Sequence, residues 1–151
     1  MNQEYRYDHR TVEGYILSAI VWAVVGLVVG LLISVQMFAP ALNFAPWASF
    51  GRMQTVHTNI LGFGVGVGAI FGLSYYILMR LTRRTLLFPR LARLQLWLFN
   101  VGILAALITL SMGYTQSLEY AEMEWPLDIA IVIVWVMFAV NVIGTILVRR
   151  E

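Results

Sequence analysis

The chain has 151 residues, a formal net charge of +2 and a hydrophobic content of 60%, with a mean hydropathy of +0.79. An apolar share this high is unusual for a soluble domain and predicts a membrane protein. Cysteine is absent, which excludes disulfides, thiolate catalysis and cysteine-bound clusters within this chain.

Four apolar stretches are each long enough to cross a bilayer, which takes about 20 residues of helix. They run over 15–38, 56–79, 94–112 and 129–148. None alternates with a period of two, so the pattern favours helices over a barrel. We predict an all-α membrane protein, with four transmembrane helices in one domain over 1–151. Two polar residues inside the spans, Asn100 and Asn141, are expected to form hydrogen bonds between helices.

The placement of arginine predicts the orientation of these spans. All ten basic residues are arginines, and only Arg52 lies in the first or third connection between spans. Cytoplasmic segments carry the excess of positive residues, so we expect both termini in the cytoplasm. Because the arginines flank membrane spans, nucleic acid is not an expected partner.

His57 stands at the start of the second span. An ionisable side chain at membrane depth is a candidate functional residue, and neutral imidazole is a common metal ligand. In a helix, Gly64, Gly68 and Gly72 would fall on nearly the same face as His57. A flat macrocycle could lie on this strip. The alternative is that His57 bonds to a neighbouring helix and the glycines permit close helix packing.

The third connection, 113–128, is acidic and carries no basic residue. Carboxylates on such loops are usually solvated. Glu119 and Glu122 are three residues apart and would share a face if helical, so a metal site is the alternative interpretation. The predicted topology places this connection on the same side of the membrane as His57, which we expect to be the periplasmic side.

Two motifs around the second span, FGRMQTVHTN (50–59) and SYYILMR (74–80), resemble the catalytic subunit I of cbb3-type cytochrome c oxidases, in the haem–copper oxidase superfamily. The family pattern at the first motif is close to F-G-R-L-R-P-L-H-T-N. PALNFAPWASFG (40–51) and EYAEMEWPLDI (119–129) resemble the same family. The resemblance runs through essentially the whole chain. Nitric oxide reductases are broader relatives, but EYAEMEWP favours the oxidase.

This resemblance implies roles for particular residues. His57 matches an axial ligand of the low-spin haem b, and Arg52 matches one of two arginines near the haem propionates. Gln54 replaces the other arginine, so propionate pairing should be weaker here. Gly64 and Gly68 would form the face that packs against the haem.

The resemblance also implies roles for the acidic connection. The glutamate that matches Glu119 contributes to a calcium site near the propionates. The glutamate that matches Glu122 is linked to proton movement.

A haem with two histidine ligands needs a second histidine at the same depth. The other histidine here, His9, is expected at the opposite surface, about 30 Å away. In the family, the second ligand and the ligands of the second haem b and copper lie on later helices. We therefore expect the N-terminal part only, from a truncated or split subunit, in a bacterial cytoplasmic membrane. Its expected partners are the remaining helices of subunit I, c-type cytochrome subunits and the lipid bilayer.

The function implied is electron transfer through haem b to the O₂-reducing centre of a proton-pumping terminal oxidase, a cytochrome c oxidase. This chain alone would lack the haem–copper site. Two alternatives remain open from the sequence: a haem-free structural or assembly protein of the membrane, and part of a nitric oxide reductase relative.

Overall fold

The computed structural model describes residues 7–118 and 121–148. It contains four long helices: α1 (His9–Phe38), α2 (Phe50–Thr82), α3 (Pro89–Met112) and α4 (Trp125–Leu147). Each is long and apolar enough to cross a membrane. The predicted all-α fold with four membrane-spanning helices is confirmed.

The helix starts differ from the sequence prediction. Each helix begins roughly one to two turns before its apolar stretch, whereas the helix ends agree within about one turn. Polar or proline-containing first turns explain the difference. Asp8 caps α1 by accepting hydrogen bonds from the Thr11 amide (3.3 Å) and hydroxyl (2.7 Å). Pro89 and Pro126 lie in the first turns of α3 and α4, where proline is favoured.

The helices alternate in direction, and the bundle has two distinct ends. At the end we call the terminal end, the amide of Asp8 lies 3.3 Å from the sulfur of Met79, so the start of α1 meets the last turns of α2. At the opposite end, which we call the loop end, Arg52 near the start of α2 reaches the last turn of α3 at Ser111. The arginine pattern predicts that the terminal end is cytoplasmic.

Helix α1 packs along most of α2, while α3 contacts both and α4 packs on α3 and the second half of α2. An aromatic cluster fills the centre, with ring centroids 4.7 Å apart for Phe71 and Phe138 and 5.7 Å apart for Tyr15 and Phe71. Such tilted and edge-to-face pairs are favourable for buried rings. The outer faces are apolar and exposed, as at Leu27, which suits contact with lipid.

Two asparagine side chains form hydrogen bonds between separate parts of the bundle. The indole N–H of Trp22 on α1 donates to the side-chain carbonyl of Asn100 on α3 at 2.9 Å, which confirms the predicted bond between helices. Asn141 instead bonds to the connection before α3. Its side chain accepts from the Phe88 amide (3.2 Å) and donates to the Phe88 carbonyl (3.1 Å). It therefore holds a connection rather than a neighbouring helix.

Helix α2 changes from an α-helix to a π-helix three residues after His57. Ile60–Val67 is π-helical, between α-helical segments Phe50–Asn59 and Gly68–Thr82. A π segment widens the helix, and such segments often occur at functional sites. This segment contains Gly62, Gly64 and Gly66 and forms one wall of the groove described below.

Candidate functional site: a histidine beside an open groove

His57 lies about two turns after the start of α2. It is half-buried and faces α1. Its Nδ1 is 2.8 Å from the backbone carbonyl of Gly26. A carbonyl oxygen can only accept, so Nδ1 carries the proton and donates. In the neutral imidazole, Nε2 then keeps a free lone pair. The backbone of α1 thus fixes both the orientation and the tautomer of the ring.

Gly30, one turn along α1 from Gly26, makes room for the His57 ring. A methyl group on Gly30 would lie 2.7 Å from Cε1 of His57 and 3.1 Å from Nδ1. Real carbon atoms essentially never approach this closely, so any side chain at Gly30 would displace the imidazole. Gly26 and Gly30 therefore position the ring together: the first accepts its hydrogen bond, and the second leaves room for it.

An open groove of about 550 Å³ runs beside His57 at the loop end of α2. Its lining combines a few polar side chains with apolar ones: His57, Thr58, Asn59, Leu61, Gly62, Phe63, Val67 and Glu122. A mostly apolar wall with a few convergent polar groups is typical of cofactor and small-molecule sites of this size. Among the described residues, no atom of another part of the chain lies within 4 Å of where a Gly62 side chain would begin. The backbone there is open to the groove.

Gly64, Gly68 and Gly72 face α1, as His57 does, so the expected common face exists. That face is occupied by helix packing. A methyl group on Gly64 would lie 3.0 Å from Cβ of Trp22, and one on Gly68 would lie 3.3 Å from the Phe99 ring. Side chains of α1 and α3 thus lie against Gly64 and Gly68, and the expectation that these glycines form a haem-packing face stays a prediction. The alternative of close helix packing accounts for these glycines.

Glu122 approaches the same groove from the connection between α3 and α4. Its Oε2 accepts a hydrogen bond from the side-chain amide of Asn59 at 3.0 Å, and Asn59 also donates to the Thr55 carbonyl at 2.9 Å. Both amide hydrogens of the buried Asn59 are thus used. Glu122 and His57 lie on the same end of the bundle and line one groove.

Arg52 lies about one and a half turns before His57, and its side chain contacts the end of α3. Its Nη1 donates to the carbonyl of Ser111 at 3.2 Å, at the C-terminus of α3, where a cation is favoured. Its guanidinium packs against Gly113, whose φ of +93° is readily adopted only by glycine. Arg52 is at the loop end but does not line the His57 groove. Gln54 is exposed.

The proposed calcium residue Glu119 lies outside the described residues. Within 7–118 and 121–148, no three His, Asp or Glu side chains are grouped closely enough to hold a metal ion. Gln116 forms two hydrogen bonds within the connection between α3 and α4. Its backbone N–H donates to the Glu122 carbonyl at 2.8 Å, and its side-chain amide donates to the Met123 carbonyl at 2.5 Å.

His9 begins α1 at the terminal end, with its ring edge-on to Tyr7 at 6.0 Å between centroids. It is separated from His57 by the length of α2 between the two ends of the bundle. His9 therefore cannot share a metal with His57, as the sequence predicts.

Three glycines of the site were not among the predicted residues: Gly26 and Gly30, which position the His57 ring, and Gly62, which faces the groove. A signal for the first pair was present: they form the G-x-x-x-G of GLVVG in the first span. Nothing local in the sequence shows that a histidine ring, rather than a small residue of a neighbouring helix, packs against this motif.

The chain is similar to known proteins over most of its length. The family model described as "Cytochrome C and Quinol oxidase polypeptide I" matches residues 10–151. A "Cbb3-type cytochrome c oxidase subunit CcoN1" of Stutzerimonas stutzeri is 43% identical over 145 residues, which cover 95% of this chain and 31% of that protein. A "Cytochrome c oxidase subunit 1 homolog" of Agrobacterium tumefaciens is 37% identical over 145 residues, covering 96% of this chain and 27% of that protein.

The chain spans less than a third of the length of these relatives. The similarity nevertheless includes all four helices and the His57 groove, since the family match begins one residue after the start of α1. The chain belongs to the cytochrome c and quinol oxidase polypeptide I family.

Proposed function

We propose that His57 is an axial ligand of a low-spin haem b, within the catalytic subunit of a cbb3-type cytochrome c oxidase. The observation that carries this proposal is the hydrogen bond from His57 Nδ1 to the Gly26 carbonyl. It leaves Nε2 as the only ring nitrogen able to bind iron. Metal-binding histidines commonly donate their other ring N–H to a carbonyl or carboxylate, which fixes the ring and raises its basicity.

The groove beside His57 suits a large, mostly apolar group. Phe63 and Val67 supply apolar walls, and Gly62 leaves the helix backbone accessible at van der Waals distance. When bound, haem would supply a one-electron Fe(II)/Fe(III) couple. The role of this chain's residues is to hold the imidazole, to keep water from one face of the site and to present polar groups at its rim.

Charged residues at the loop end would act on the edge of the site. Arg52 would stabilise propionates only by extending from its present partner, the Ser111 carbonyl. Gln54, where the family has an arginine, offers a neutral donor and a weaker pairing. Glu122 borders the groove and is held by Asn59, so it is placed to exchange a proton with groups bound there.

The rest of the site would come from outside this chain. His9 is at the other end of the bundle, so the second axial ligand must be supplied by the remaining helices of subunit I. Those helices would also carry the second haem b and the copper where O₂ is reduced. Electrons would arrive from c-type cytochrome subunits, and protons would be pumped by the assembled oxidase.

The orientation follows from the arginines of the terminal end, which we place in the cytoplasm of a bacterial cell, with the membrane protein crossing four times. His57, Glu122 and Glu119 would then lie on the periplasmic side. If Glu119 helps to bind Ca²⁺, it must be joined by other oxygen ligands, since calcium takes six to eight. Haem propionates and backbone carbonyls are suitable ligands.

The proposal is tested by comparing His57→Ala with His9→Ala in the assembled membrane complex. We expect the low-spin b-type absorption of the reduced complex to disappear in His57→Ala and to persist in His9→Ala. Equal spectra for the two variants would remove the ligand assignment. Replacement of Glu119 by Gln, with metal content and haem potential as readouts, separately tests calcium.

One observation favours the alternative of a haem-free structural protein. Helix α1 covers Gly64, Gly68 and Gly72, so the bundle packs without a macrocycle on that face. On this alternative, the bond to Gly26 simply satisfies one ring nitrogen of a half-buried imidazole. A monodisperse chain that is purified free of haem, and that takes up none from added haem, would support the alternative.

A further inference from the structure

A second groove lies at the terminal end, outside the first turns of α3. It is open, with a volume of about 590 Å³. We call it the arginine groove. Arg90 and Arg93 line it together with five apolar residues: Leu87, Phe88, Pro89, Leu91 and Leu94.

The two arginines are available to a ligand. Both are exposed, and they are three residues apart on α3, which places them on neighbouring turns of one face. Two other arginines at this end have partners within the protein. Arg80 donates to the Tyr76 hydroxyl at 3.3 Å, and Arg84 donates to the Val148 carbonyl. No carboxylate is among the described residues that line the arginine groove.

The apolar residues of this groove face the surroundings of the bundle. Phe88 is 45% exposed and Leu94 is 52% exposed. About one turn beyond Leu94 on α3, the exposed Trp97 and Leu98 continue this surface toward the middle of the membrane span. The groove therefore combines two cations with an apolar surface that continues along α3, a combination that suits the level where lipid headgroups meet acyl chains.

From these observations we propose that the arginine groove binds one anionic phospholipid, with the headgroup phosphate between Arg90 and Arg93. The acyl chains then follow Leu94, Trp97 and Leu98 along α3. Two arginines provide several N–H donors for phosphate oxygens, and arginine matches phosphate geometry well. The start of α3 has no side-chain cap, so its first-turn amides add a favourable dipole. The proposal does not depend on haem binding.

The test measures lipid retention by the full chain in detergent, using native mass spectrometry after incubation with phosphatidylglycerol or phosphatidylcholine. We expect one phosphatidylglycerol to be retained per chain in preference to phosphatidylcholine. The variant Arg90→Gln with Arg93→Gln should lose about thirtyfold in apparent affinity, since each arginine near a lipid surface contributes roughly tenfold or less. The matched control Arg83→Gln, an exposed arginine at the same end but outside the groove, should change affinity less than about threefold.

The double variant Arg90→Lys with Arg93→Lys separates the site from a folding defect, because it keeps the charge. It should retain most of the affinity and the same melting temperature. The proposal is overturned if Arg83→Gln weakens binding as much as the double Gln variant, which would indicate diffuse attraction. It is also overturned if phosphatidylcholine binds equally well, or if inorganic phosphate displaces the lipid at millimolar concentration.

Discussion

His57 donates its Nδ1 proton to the Gly26 carbonyl across 2.8 Å, so a side chain of α2 is oriented by the backbone of α1. The acceptor sits in a helix interior, where its carbonyl also belongs to the helical ladder. The position of the imidazole therefore depends on how closely α1 approaches α2. This makes the spacing between the two helices the property that controls the candidate site.

Gly30→Ala tests this dependence without touching the histidine. The added methyl group would lie 2.7 Å from His57 Cε1, so the ring or the helix must move. We expect a loss of about 1–3 kcal/mol in stability, the usual cost of overpacking, and a weakened low-spin haem signal in the assembled complex. Gly51→Ala is the matched control, because no atom in the described part of the chain lies within 4 Å of its added carbon. A normal haem signal in Gly30→Ala would contradict the proposed role of the helix spacing.

The Asn59–Glu122 bond predicts energetic coupling between α2 and the third connection. A hydrogen bond to a charged group contributes about 1.5–3 kcal/mol. In a double-mutant cycle with Asn59→Ala and Glu122→Ala, we expect a coupling energy of about 1 kcal/mol or more, measured by unfolding in detergent. Additive effects of the two substitutions would show that the bond does not hold the connection against the groove.

Arg52→Gln should destabilise the loop end of the bundle. It removes a cationic donor from the Ser111 carbonyl, at a helix C-terminus where positive charge is favoured. We expect a loss of about 1–2 kcal/mol in the free energy of unfolding. Arg10→Gln, an exposed arginine on α1, should change it by less than about 0.5 kcal/mol. Equal effects of the two substitutions would contradict a specific role for Arg52.

Asn141→Ala should be among the most destabilising polar substitutions in the chain. Asn141 is fully buried and satisfies both the N–H and the C=O of Phe88. Its removal leaves the Phe88 N–H without this partner, at about 1–3 kcal/mol for a buried unsatisfied group, while the Phe88 carbonyl still accepts from the Ala92 N–H at 3.1 Å. Ser34→Ala, at an exposed position on α1, serves as the control, and the melting temperature in detergent is the readout.

The number of helices and the alternation of their direction were predictable, because a membrane span is a local property of about 20 residues. The helix starts were not, since polar first turns such as the one capped by Asp8 carry no apolar signal. Hydropathy therefore located the membrane-crossing part of each helix rather than the whole helix.

The site was only partly predictable. The unusual position of His57 and the surrounding motif were readable from the sequence. The role of Gly64 and Gly68 was not, because glycine leaves the same space for a helix as for a macrocycle. Only the structure shows that Trp22 and Phe99 occupy that space. The hydrogen bond between His57 and Gly26 joins residues on different helices, so no local sequence pattern could predict it.

The most direct test of the central claim is imidazole rescue of His57→Gly in the assembled complex. Removal of the side chain leaves a space beside Gly30 and the groove that free imidazole can enter. If His57 binds the iron, the low-spin b-type absorption will be lost in the variant and restored by added imidazole, whereas the same imidazole will not change the wild-type spectrum. An unaltered low-spin band in His57→Gly without imidazole would contradict the assignment.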